Sequence, residues 1–150
     1  MRTTSIGTWG AARRIAAATA VAGTLDILAA IGLTLWFGRK MDAMLRFVAS
    51  GPMPAAKAWG AGGAVLGLLV HYALMAIMAA VYVLGVDRAP RLKARPALGG
   101  IAYGVVTYVI MTFVVVPLRF GTSPSVIGMT TQLFCHVVLV GIPIALIARR

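Results

Sequence analysis

Four stretches of this chain, residues 15–37, 61–84, 97–118 and 126–148, are apolar from end to end and hold a single carboxylate, Asp26, and no Lys or Arg. Each matches the roughly 20 residues that a helix needs to cross the hydrocarbon core of a bilayer. Backbone groups in that core must be satisfied within the segment, so an α-helix is the expected conformation of each stretch. The expected fold class is therefore all-α, an integral-membrane four-helix bundle occupying residues 1–150 as a single transmembrane domain. Composition agrees: 61% of residues are hydrophobic and 11% charged, whereas a soluble domain carries about a quarter charged residues. A signal peptide ending near Ala20-Val21-Ala22 is the competing reading of the first stretch. The apolar run continues well past that point, which favours an uncleaved helix.

Charge is confined to the connections and the ends. There are 14 Lys and Arg against 3 Asp and Glu, with no glutamate. In a soluble chain this excess would point to nucleic acid. Here the cations flank apolar spans, so the expected partner is a bilayer with anionic headgroups, with no nucleic acid. Arg2, Arg13, Arg14, Arg88, Arg91, Lys93, Arg95, Arg149 and Arg150 fall on one side. Arg39, Lys40, Arg46, Lys57 and Arg119 fall on the other. The richer side is expected to be cytoplasmic, which puts both termini inside. The lone cysteine, Cys135, lies within an apolar run and supports no disulfide framework.

The first connection carries its own pattern. Met41, Met44, Leu45 and Val48 recur at helical spacing while Lys40, Asp42 and Arg46 fall off that face. This predicts a short amphipathic helix over 40–49, lying in the membrane interface and ended by Ser50-Gly51-Pro52.

Polar residues inside the spans are few, and they gather at one depth. Asp26, His71 and His136 sit near the middles of the first, second and fourth spans; Tyr108 and Gln132 complete a candidate midplane layer. Ionisable groups at that depth face inward and find partners. Glycines four apart precede several of them: Gly63 and Gly67 before His71, Gly100 and Gly104 before Tyr108, Gly128 before Gln132 and His136. Gly23 stands beside Asp26. Small residues at this spacing let helix backbones approach closely, so these glycines are the expected packing faces between spans. The two halves also resemble one another, Gly23 matching Gly100 and His71 matching His136, as in a parallel duplication.

Three readings of the layer stand together. It can be a structural network in which Asp26 accepts from the histidines. It can be a proton or ion relay, which four short helices would support only as a homo-oligomer or within a larger membrane complex. It can be a cofactor site, since His71, His136 and Asp26 match by type a divalent-metal ligand set, and two histidines at one depth suit haem b. No nucleophile elbow, phosphate loop, dinucleotide fingerprint or carboxylate pair is present, so no enzyme is expected.

The order of features is similar to that of a known group. The mid-span His71, the basic loop, Leu98-Gly99-Gly100, Val116-Pro117-Leu118, Phe134-Cys135-His136 and Gly141-Ile142-Pro143-Ile144-Ala145-Leu146 together resemble the YagU-like small bacterial inner-membrane proteins. The resemblance covers most of residues 20–150. It implies a four-span architecture in a bacterial inner membrane and carries no substrate.

Overall fold

The computed structural model describes residues 9–121 and 125–150. Arg2 lies outside the described residues. Four long helices are present: span 1 (Ala11–Trp36), span 2 (Gly60–Asp87), span 3 (Pro96–Phe120) and span 4 (Val126–Ala148). Among the described residues there is no strand. The expected four-helix fold is the observed one, with the helices running a few residues beyond several of the expected boundaries.

Span 2 shows why periodicity is weak in these helices. Its inward line, Gly63, Gly67, His71, Met75, Ala79 and Val83, is buried. Its outward line, Val65, Leu69, Ile77 and Val81, is equally apolar and exposed. A helix that is apolar all round belongs in a core or a membrane.

Span 1 packs against spans 2 and 4, and span 4 packs against span 3. The central cluster comprises Ala18 and Ala22, Met75, Ala79 and Val83, and Val140, Ile144 and Ala148. Tyr103 on span 3 donates to the Met78 carbonyl at 2.8 Å, joining spans 2 and 3. The start of span 1 and the end of span 4 lie at one end of the bundle, where the Trp9 amide donates to the Arg150 carbonyl at 3.3 Å.

That end is closed by an ion pair. Arg14 is only 6% exposed. Its guanidinium reaches Asp87, at the end of span 2, at 2.8 and 2.5 Å. It also donates to the Ala148 carbonyl of span 4 at 2.8 Å, and Lys93 adds a second cation to Asp87 at 3.0 Å. One side chain thus ties three spans together. A bidentate arginine–carboxylate contact of this kind is among the stronger polar contacts available.

Spans 3 and 4 each contain a π-helical segment, over Ile110–Val115 and Cys135–Gly141. Each is followed one residue later by a helical turn whose second residue is proline, Pro117 and Pro143 respectively. A proline ring clashes with the carbonyl four residues back and brings no N–H, and a widened turn relieves both defects.

The short helix in the first connection spans Met41–Ala49. Asp42 and Arg46 pair along it at 2.7 Å, and Arg46 holds the Asp42 carboxyl below the usual carboxylate range. The helix exists as expected, but its buried face differs. Leu45 and Ala49 are buried whereas Met41 is 43% exposed. That face packs toward span 2.

Candidate functional site

The small residues that bring the spans together also fix where the polar side chains sit. A Cβ on Gly23 would meet the Tyr72 ring at 2.8 Å. Bare glycine there lets span 2 approach span 1, and in the gap the His71 Nε2–H donates to the Gly23 carbonyl at 2.9 Å. That carbonyl already belongs to the helix ladder, so its second lone pair serves the imidazole. Beside it Thr24 and Tyr72 share a hydroxyl contact at 2.9 Å.

Donation from Nε2 leaves His71 Nδ1 on the opposite side of the ring. It faces the Asp26 carboxylate at 3.9 Å, with both side chains largely buried. This separation is too long for a hydrogen bond and close enough for electrostatic coupling. The expectation that Asp26 accepts directly from a histidine is therefore corrected: the backbone of Gly23 takes that place.

His136 is buried on span 4. Its Nδ1–H donates to the Gln132 carbonyl of its own helix at 2.9 Å. The Tyr108 ring lies edge-on to it, centroids 6.1 Å apart. Both His71 and His136 lie within Coulombic reach of Asp26, as does Cys135. The structure thus gathers Asp26, His71, His136 and Tyr108 near one depth. The Gln132 side chain is not among them: it is exposed on the outer face, and only its carbonyl participates. Gln132 lies in Val126–Phe134, a stretch of span 4 that buries no residue, whereas His136 lies in the packed part beyond it.

The glycine expectations divide. Gly100 and Gly104 pack as predicted, since a Cβ on Gly104 would lie 2.5 Å from the His136 carbonyl and one on Gly100 would lie 2.7 Å from that of Gly141. Gly141 is the reciprocal glycine on span 4, set against the backbone of Gly100 and Gly104. Its position just ahead of Ile142-Pro143 was the available signal for it. Gly63 and Gly67 are also close-approach sites, but their partners are the carbonyls of Ala56 and Leu45 in the first connection. They therefore seat the short helix and the 3-10 turn after it, not another span. Gly128 lies in the first turn of span 4, its N–H capped by Ser125 Oγ at 3.1 Å. No residue of Val126–Phe134 is buried.

The proposed correspondence between halves is not reproduced at the histidines. His71 bridges two spans through a carbonyl, whereas His136 bonds within its own helix. Among the described residues no three His, Cys, Asp or Glu side chains converge as a metal-ligand group. The imidazole nitrogens not engaged by carbonyls are Nδ1 of His71 and Nε2 of His136.

Fold and site together define an all-α, multi-pass membrane protein with a polar layer inside its bundle. Comparison with protein-family models, with curated proteins and with solved structures gave no match.

Proposed function

We propose that the protein is a small, non-enzymatic accessory or structural subunit of a bacterial inner membrane, with both termini cytoplasmic. Its mid-span layer sets the register of the bundle. The observation that carries this reading is the His71 Nε2–H donated to the Gly23 carbonyl, an interhelical bond that consumes the imidazole's donor on backbone. A bond of this type in a membrane interior contributes about 1 kcal/mol. The YagU-like resemblance and the flanking cations support the same location. No cofactor is part of the proposal.

A second reading rests on the 3.9 Å approach of His71 Nδ1 to Asp26. With Nε2 donating, the facing Nδ1 and carboxylate are both acceptors unless a proton lies between them. A pair that holds one proton in this way is a stage in a relay, with His136 and Cys135 the neighbouring titratable groups on span 4.

Asp26→Asn separates the two. The amide preserves size and an acceptor but holds no exchangeable acid proton. In the structural reading, the purified variant remains folded, loses about 1 kcal/mol at most, and behaves like the parent when proteoliposomes undergo a pH jump. A folded variant whose proton flux falls from a measurable parental value would transfer the assignment to the relay.

A further inference from the structure

At the end of the bundle away from the termini, the first connection and the end of span 3 enclose a pocket of about 210 Å³. Phe47, Ser50, Pro54, Lys57, Arg119 and Phe120 line it. Its floor is the stacked pair Phe47 and Phe120, ring centroids 4.3 Å apart. Lys57 Nζ stands over both rings, at 5.6 and 6.0 Å. A ring face accepts no conventional hydrogen bond in place of an anion, and among the described residues Lys57 pairs with no carboxylate. Arg119 is held in place: its Nε donates to the Gly51 carbonyl and its Nη2 to that of Ser50, the latter at 2.7 Å. Among the described residues Nη1 has no acceptor. The acid of this connection, Asp42, is taken by Arg46.

Two cations with uncommitted donors therefore converge over an aromatic floor. They sit where span 3 ends and span 2 begins, the level at which lipid phosphates flank the hydrocarbon core. We propose that this pocket binds a phosphate group, with Lys57 supplying a point charge and Arg119 a fixed guanidinium edge. Its volume falls below that of typical small-molecule sites and suits a headgroup fragment rather than a whole metabolite. The lipid headgroup and free phosphate offer the same chemistry. The aromatic floor favours the lipid, whose glycerol carbons would rest on it.

The proposal rests only on the membrane-spanning character of the bundle, and Lys57 lies far from the mid-span layer. Native mass spectrometry of detergent-purified full-length protein would be run with phosphatidylglycerol and, separately, with inorganic phosphate, on the parent, Lys57→Gln and Lys57→Arg. Removing the charge weakens phosphatidylglycerol binding about fivefold, the usual effect of one basic residue at a membrane surface, and Lys57→Arg restores it. Lack of inorganic phosphate binding by the parent assigns the lipid source; a matching fivefold loss for inorganic phosphate assigns the free ion. Equal binding by parent and Lys57→Gln overturns the site. So does equal loss in both variants, which would mean that lysine packing and not charge is responsible. Recovery of each variant from the membrane fraction checks the bundle independently.

Discussion

At the scale of residues, the glycines show that one motif can serve two purposes. Gly104 faces the His136 carbonyl of another span, whereas Gly67 faces the Leu45 carbonyl of the short helix. Neither site has a flexible side chain that could move aside. Leucine at Gly104 must push spans 3 and 4 apart, at a cost of about 1–3 kcal/mol, the usual range for overpacking. Leucine at Gly67 should instead lift the short helix while the four spans stay assembled. Unfolding of the two variants in detergent, with spin labels placed at Met44, checks the contrast. Gly104→Leu is expected to lower the midpoint with little change in label mobility, and Gly67→Leu to release the label with little change in the midpoint. The reverse pattern would mean that Gly67 packs a span after all.

At the scale of elements, most of the architecture was legible because a bilayer allows so few solutions. Uncharged runs of spanning length had to be helices, and the Met41–Ala49 helix announced itself through its period and the Asp42–Arg46 spacing. The support that pair gives is present above the ordinary carboxylate range and is lost as pH falls through the depressed Asp42 value. Two matters were not legible. A small-residue stripe records that something approaches closely but not what: Gly63 and Gly67 face carbonyls of the 3-10 turn and the short helix, not another span. How far along span 4 its neighbours reach is the other: Gly128 and Gln132 precede His136 at helical spacing, but Val126–Phe134 buries no residue while His136 is buried beyond it. Only Pro117 and Pro143 mark the π-helical segments in the sequence. The Arg14–Asp87 pair is not legible for a related reason: Arg14 stands in the sequence as a flanking cation, and only the extension of span 1 to Ala11 carries it inward.

At the scale of the whole molecule, the bundle is fastened at two levels. Arg14, Asp87 and Ala148 close the end that holds the termini, and His71 with Gly23 ties spans 1 and 2 at mid-depth. An even number of spans puts both termini on one face, and the proposed orientation, read from the distribution of cations, makes that face cytoplasmic. Reporter fusions at Gly85 and Arg150 are expected to read cytoplasmic and a fusion at Gly60 periplasmic; a periplasmic Arg150 reporter would reverse the orientation. The central claim, that the mid-span histidine is a structural tie, is tested most directly by NMR on protein labelled with 15N-histidine and 13C-carbonyl glycine. The account predicts a proton on His71 Nε2 and a through-space contact from that nitrogen to the Gly23 carbonyl carbon. A bare Nε2, or a His71 ring with no contact to Gly23, would contradict it.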